Sequence, residues 1–395
     1  MSTPIQRLVE PTRKNPRIVA GLMSGTSADS IDVAICSIVG DGVPGPGRPG
    51  ATVTLLHYHE AAHEPETRRM VLELDKLNVR TIAELNVRLG AAFAEACAEG
   101  LRRAGLAEDE LDLVGSHGQT VYHHSSVPGA IKATLQLGDG DVIAERLGVP
   151  VVSDFRARDI AAGGEGAPIS PYADLVLFGS SAGTRRAVLN LGGIANVTVL
   201  DPDPAAVLGF DTGPANSLLD RLARRLTDGR LPCDRDGQIA RAGKVDEPLV
   251  ARLLREDSYL DRRPPKSTGF EMYGDAFVDH AAGLLGRCDA DLMATLTEFT
   301  ARSIAGAFAA FVPPRDEVIA AGGGVRNPAL LGRIAALLAP ARVRISDELG
   351  VPGDAREAMA FAILANEAIH GHATALPSVT GARRAAVLGK LSFPS

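Results

Sequence analysis

One pattern occurs twice in this chain and leaves few folds open. Apolar, β-rich runs at 18–23, 31–39 and 51–59 are joined by turns, the first of them the Gly/Ser/Thr segment 24–27. Half a chain later the pattern starts again, with 187–191, the Gly192-Gly193 turn, 194–200 and 207–210. Successive strands joined by tight turns predict meanders. Each meander is followed by alternating helical and apolar stretches, which predicts an α/β chain. The periodicity predicts a helix over 81–104, with Leu85, Leu89 and Phe93 on one face. A short helix is expected at 139–147 and further strands at 111–115, 149–153 and 317–321. The Gly/Pro-rich segment 40–50 predicts a loop.

The doubled pattern predicts two similar α/β lobes with a cleft between them. The expected division is a disordered lead-in over 1–16, a first lobe over 17–185, a second over 186–371, and a return to the first lobe over 372–395.

A length of 395 residues suits such a division, and the absence of Trp leaves the core to Ala, Val, Leu and Ile. The net charge of −7 argues against a general nucleic-acid binder. The four cysteines, Cys36, Cys97, Cys233 and Cys288, form no CxxC pair, which disfavours a zinc ribbon and fits a reducing cytoplasm. No apolar run is long enough to predict a spanning helix, and the N-terminal segment has no apolar h-region.

Two spelled motifs fail on context. His59-Glu60-Ala61-Ala62-His63 matches HExxH, but a β-branched strand precedes it and Pro65 comes two residues later, whereas zinc chemistry needs both imidazoles on one helical face. Gly179-Ser180-Ser181-Ala182-Gly183 matches GxSxG, but residues 184–191 run into a strand and not a helix. Walker A and dinucleotide-binding glycine patterns are absent.

The glycine turns are better candidates. In Gly25-Thr26-Ser27-Ala28-Asp29-Ser30-Ile31-Asp32, small residues let backbone N–H groups approach an anion and hydroxyls add donors. A carboxylate beside it, Asp29 or Asp32, suits Mg²⁺. Asn190, Gly192 and Gly193 form a second such hairpin, and Gly322-Gly323-Gly324, ahead of Asn327, permits close approach of a flat ring. Each of these is also readable as a plain tight turn. Asp211 and Gly213 lie in DTGPAN, which is expected to start a helix with Pro214 near its first turn and either holds nucleotide or caps that helix.

Asp154 ends an apolar strand, where α/β sheets bind ligands. Partly desolvated, it suits a general base. It equally suits an N-cap, or an ion pair with Arg156 or Arg158. His117 and Gln119 end another strand and suit a polyol substrate or a bonded loop. Glu357 lies on an Ala-rich helix, near a metal or simply solvated.

The segments MSGTSADSID, SHGQTVYH, SDFRARDIAAGGEGAP, NLGGIANVT, FDTGPAN, PPKSTGFE, LTEFTA, GGGVRN and REAMAFA occur in this order. As an ordered set they resemble the anhydro-N-acetylmuramic acid kinase family, from about residue 18 to the C-terminus. The resemblance implies the actin-like, ribonuclease H-like two-lobed ATPase fold shared with hexokinase and the 70-kDa heat-shock proteins. It implies an ATP- and Mg²⁺-dependent kinase that opens the 1,6-anhydro bridge of 1,6-anhydro-N-acetylmuramic acid and phosphorylates O6, in peptidoglycan recycling. It places the ATP loop on Gly25 to Asp32 and the catalytic aspartate on Asp154. Asp29 and Glu357 are the carboxylates assigned to metal, and His117, Gln119 and Arg156 the residues assigned to the sugar. A bacterial cytoplasmic homodimer is implied. The related levoglucosan kinases, and nucleotide-driven binding proteins of the actin type, are the alternatives. The family turn GTS-Leu-Asp-Gly reads GTS-Ala-Asp-Ser here, so Ser30 must avoid positive φ.

Overall fold

The computed structural model describes residues 4–25, 27–45, 49–124, 131–180 and 182–395. It divides into two compact units: one of 1–181, 202–207 and 350–395, the other of 182–201 and 208–349.

Among the described residues, the first unit carries a seven-stranded sheet. Its strands are β1 (Arg17–Ser24), β2 (Ser30–Val39), β3 (Thr52–Ala62), β4 (Leu113–His124), β5 (Ala133–Leu137), β6 (Val151–Ser153) and the C-terminal strand Lys390–Ser392. The meander β1-β2-β3 is antiparallel, whereas β4 joins β1, and β6 joins β4, in parallel. The second unit carries five strands: β7 (Arg186–Leu191), β8 (Ile194–Val199), β9 (Leu208–Pro214), β10 (Glu317–Ala321) and β11 (Arg342–Ile345). Here too an antiparallel meander, β7-β8-β9, is extended in parallel, by β10 and then β11. Taken from the meander outward, both sheets run third, second, first, fourth; the next parallel strand is β6 in the first sheet, where β5 hangs off β4, and β11 in the second. The doubled pattern in the sequence is this doubled topology, and the fold is the α/β actin-like, ribonuclease H-like one.

The core is mostly aliphatic, but its largest fully buried side chains are aromatic, among them Tyr259, Tyr273, Phe93 and Phe299, so it is not left to Ala, Val, Leu and Ile alone. Helix Val79–Ala104 buries Leu85, Leu89 and Phe93 completely on the stripe its periodicity marks. Asn78 caps its start and the left-handed Gly105 its end.

Helix Arg356–Ile369 lies on the first sheet, at β1 and β4, because two strand glycines let it. A Cβ on Gly21 would overlap the Ala358 carbonyl, and one on Gly115 the Phe361 carbonyl. The return to the first unit therefore begins at 350 and not at 372, and Glu357 belongs to the first unit, not the second.

Three other expectations are corrected. The lead-in contains a helix, Pro4–Arg13, anchored at its end by the Lys14–Asp112 ion pair and by Arg17 donating to the Lys14 carbonyl at 2.7 Å. SHGQT does not end its strand. Gly118, at φ +73, lets β4 continue to His124, paired with β5. Pro214 closes β9, and the next helix, Asn216–Leu226, starts after it.

Candidate active site

In the first unit β1, β4 and β6 run parallel, so their carboxyl ends share one sheet edge. Ser24 pairs with Gln119, and Gly115 with Val152. That register sets the turn after Ser24, His117 and Gln119, and Asp154 along this edge.

Asp154 is left-handed, at φ 55 and ψ 35, and precedes helix Phe155–Ala161 without giving its side chain to the helix N–H groups. It is not the N-cap bond the sequence allowed, and it pairs with neither Arg156 nor Arg158. Its carboxylate stands 4.0 Å from Lys390 Nζ and remains 40% exposed. Burial raises its proton affinity, Lys390 opposes this, and Asp139 adds to it. A reachable carboxylate of raised basicity is what a general base requires.

Arg156 is committed elsewhere. Its Nε donates to His117 Nε2 at 2.9 Å and its Nη1 to the Gly166 carbonyl at 2.9 Å. His117 is 4% exposed and its Nδ1 lies 2.9 Å from the Gly118 carbonyl. Accepting from Arg156 at Nε2 makes Nδ1 the donor to that carbonyl. Burial, with Arg156 beside it, pushes the imidazolium down to about 3, so this ring is neutral. His117 is therefore buried and supports Arg156. Gln119 is also spent internally. Its Oε1 accepts from Ser24 Oγ at 2.7 Å, and its Nε2 donates to the carbonyls of Gly25 at 2.9 Å and Thr120 at 3.2 Å.

Of the expected ATP loop, Thr26 lies outside the described residues. Ala28 N donates to the Gly25 carbonyl at 3.0 Å, closing a turn, and Ala28 takes the positive φ, 50°. Ser30 begins β2 in extended backbone, so the missing family glycine is accommodated. No neighbour lies within 4 Å of where a Gly25 Cβ would stand, so the turn is open there. Ser27 is exposed, and Ile31 is core. Arg68 grips the loop from outside, donating to the Ala28 carbonyl at 3.0 Å and to Asp29 at 2.7 Å. Asp29, bonded to Ser27 and Arg68, is held below the usual carboxylate range. Asp32 is the opposite case: burial, with Glu60 and Glu357 facing it, pushes it up to about 6. Glu357 is exposed and its charge reaches both Asp32 and Arg156. Asp32 and Glu357, whose charges interact, are hard oxygen donors and suit Mg²⁺ better than the Arg68-bound Asp29 does.

The segment 161–168 is tied down. Buried Asp159 accepts from Gly166 N at 2.8 Å and from Thr380 Oγ1 at 2.8 Å. Lys132 bonds the Gly163 carbonyl at 3.3 Å and Glu165 at 2.7 Å. Sequence reasoning missed Lys132, Thr380 and Arg68; each lies far along the chain from what it holds, and no local pattern marks it.

The second unit carries its own glycine constellation. Asn216 Nδ2 donates to the carbonyls of Leu191 at 3.0 Å and Gly192 at 2.8 Å, and the backbone N–H groups of Ala215 and Ser217 donate to the Gly193 carbonyl. Those carbonyls fix the turn and occupy the N–H groups of Ala215, Asn216 and Ser217 at the start of helix Asn216–Leu226. A Cβ on Gly193 would strike the exposed Phe270 ring, which sits under Arg221 at 5.2 Å. Gly322, at φ +83, and Gly324 pack against Asn190 and Leu191, while Gly323 faces open space. Gly213 sits at φ +143, against Ser303. Asp211 accepts from Thr268 N at 3.0 Å, and burial pushes it up to about 6 despite Lys266 nearby. Asn327 is a helix cap: its Oδ1 accepts from Ala329 N at 3.1 Å and Leu330 N at 3.2 Å.

The hydrolase spellings gain no support. Residues 59–62 lie in β3, and helix Pro171–Phe178, not a strand, precedes Gly179, while Ser181 lies outside the described residues. No group of three or more metal-ligating side chains occurs among the described residues. No described helix is long and apolar enough to cross a membrane.

Twin sheets of this topology, with glycine turns in each and a carboxylate at a strand end, define a protein of the actin-like ATPase class. Within it, the model of the family described as anhydro-N-acetylmuramic acid kinase matches residues 17–394. The chain belongs to that family. Curated relatives bearing that name include one from Caldanaerobacter subterraneus, 41% identical over 98% of this chain and 100% of its own. Another, from Synechococcus elongatus, is 44% identical over 94% of this chain and 98% of its own. A third, from Salinibacter ruber, is 43% identical over 97% and 98%.

Proposed function

We propose that this chain is an ATP-dependent anhydro-N-acetylmuramic acid kinase of peptidoglycan recycling, converting 1,6-anhydro-N-acetylmuramic acid to N-acetylmuramic acid 6-phosphate. Its family membership over nearly the whole length supports the reaction. The observation that carries the mechanism is Asp154, at a strand end, reachable, of raised basicity and bonded to no helix N–H.

Asp154 takes a proton from water as that water's oxygen bonds to the anomeric carbon. The C1–O6 bond breaks, and O6 then attacks the γ-phosphorus of ATP. One water and one phosphoryl group enter the sugar, and ADP leaves. Arg156, held by neutral His117 and the Gly166 carbonyl, keeps a positive charge beside Asp154 in sequence without neutralising it, and is suited to orient the sugar's carboxylate. The Gly25–Asp32 turn is suited to present backbone N–H groups to phosphate. Asp32 and Glu357 would hold Mg²⁺, which when bound neutralises charge on the transferring phosphoryl group. The Gly192-Gly193 turn, Asp211 and the Gly322–Gly324 segment are assigned to nucleotide. A cytoplasmic homodimer completes the reading, and light scattering tests its stoichiometry.

The deciding experiment measures ADP release with MgATP against 1,6-anhydro-N-acetylmuramic acid, levoglucosan, N-acetylglucosamine and glucose, with the product identified by mass. A product that gains both phosphate and water from the first sugar alone is expected. Preference for levoglucosan overturns the substrate. Indifference to every sugar overturns the kinase reading.

A further inference from the structure

Ser24 Oγ has one hydrogen and three partners. The Ser30 carbonyl lies at 2.8 Å, Gln119 Oε1 at 2.7 Å and His63 Nε2 at 2.8 Å. The first is an acceptor by nature. The second is an acceptor because Gln119 Nε2 is already donating to two carbonyls, and a flipped amide would set oxygen against both. Were His63 Nε2 also an acceptor, three lone pairs would crowd one hydrogen. The proton on His63 therefore sits on Nε2 and is given to Ser24 Oγ. Its Nδ1 is then a bare lone pair, and that atom is buried with no partner. His63 itself is 7% exposed, and leaving one ring nitrogen orphaned costs stability. This is the second histidine of the HExxH spelling, which no metal chemistry uses.

These bonds converge on the neck of the Gly25–Asp32 turn. Ser24 ends β1 and Ser30 begins β2, so the Ser24–Ser30 bond joins the two ends of the loop. Gln119 ties its first residue to β4. We propose that His63 is a positioning residue for nucleotide: by donating from Nε2 to Ser24 Oγ it fixes the Ser24–Ser30–Gln119 clamp that sets the loop's opening. The proposal rests on the reading of that loop as the ATP loop.

The test compares His63→Phe, which keeps the bulk and removes the donor, with His63→Gln, whose Nε2 restores a donor at similar reach. For His63→Phe, KM for ATP and the dissociation constant of a fluorescent ATP analogue are expected to rise about tenfold, with kcat and the sugar KM within about twofold. His63→Gln is expected to recover most of the loss. Ser24→Ala is expected to reproduce the His63→Phe effect, and the double variant to add nothing further. Equal behaviour of Phe and Gln, a parallel change in kcat and both KM values, or additive effects of the two sites overturns the clamp. If His63→Phe does not fold, Ser24→Ala against His63→Gln decides, since a Gln variant with no better nucleotide binding than Ser24→Ala also overturns it. A wild-type protein inactive on the sugar, yet weakened in analogue binding by His63→Phe, overturns the substrate reading and leaves the clamp standing.

Discussion

Arg156 and His117 form a pair in which the cation donates to a neutral imidazole, Nε to Nε2 at 2.9 Å, two residues away in sequence from the carboxylate of Asp154. The arginine uses a second nitrogen on the Gly166 carbonyl, also at 2.9 Å. A guanidinium supplies two directed donors in one plane, and an ammonium does not. Arg156→Lys is expected to raise the sugar KM at least about tenfold while the ATP KM stays within about twofold. Steady-state kinetics with each substrate varied in turn checks this, and equal rises in both KM values would count against it.

Asp154→Asn removes the base while preserving shape. Asn also tolerates the left-handed backbone at φ 55 better than Ala does. Turnover is expected to fall by about 10²–10⁴-fold, the range a positioned general base contributes, with ATP binding retained. A variant with near-normal kcat would remove Asp154 from the mechanism.

Lys390 is the cation that opposes burial at Asp154. Replacing it with Gln therefore moves the Asp154 carboxyl further upward. The acid limb of kcat/KM is expected to shift to higher pH in Lys390→Gln at low ionic strength. The difference should shrink in about 1 M salt, because an ammonium 74% exposed is well screened. A limb that moves down, or not at all at low salt, contradicts the assignment.

Asp32 carries a pH signature of its own. Its folded carboxyl, at about 6, lies above the ordinary 3.8. The stability it contributes is complete below the unfolded value and is lost as pH rises through 6, because the folded state holds the proton longer. Relative to wild type, Asp32→Asn should therefore gain stability between about pH 4 and pH 7, by about 1 kcal/mol after allowing for partial exposure. Urea unfolding at several pH values measures it. MgATP binding by the wild type should weaken below about pH 6, and that dependence should flatten in the variant.

Gly115 is a packing glycine, not a turn. Ala there would press its methyl into the Phe361 carbonyl, and is expected to destabilise by about 1–3 kcal/mol. Gly332, inside helix Pro328–Leu338 with nothing within 4 Å, is the control: Gly332→Ala should stabilise by about 0.5–1 kcal/mol. Thermal melts of both variants decide between close packing and simple propensity.

Both meanders were legible because apolar alternation and glycine turns are local signals. The ends of β1, β6 and β10 were placed within a few residues for the same reason. The extent of β4 was not, because His117, Gly118 and Gln119 spell a turn, and pairing with β5 decides otherwise. Asp154 was legible as a strand-end carboxylate. Its freedom from capping was not, since capping depends on the direction of one side chain. His117 and Gln119 were legible as polar residues on a strand, but their partners Arg156 and Ser24 lie on other elements, and no local pattern shows that pairing. Asn327 was placed with nucleotide because it comes after three glycines, whereas two helix N–H groups claim its side chain.

Helix Arg356–Ile369 covers Gly21 and Gly115 from the far end of the chain, while residues 208–349 of the second unit lie between. During synthesis, the second unit is complete before the piece that finishes the first has been made. The strands around Asp154 must wait on the ribosome, with one apolar face open, for roughly two hundred further residues. The order of assembly is thus the reverse of the order of the sequence: the half begun second is finished first.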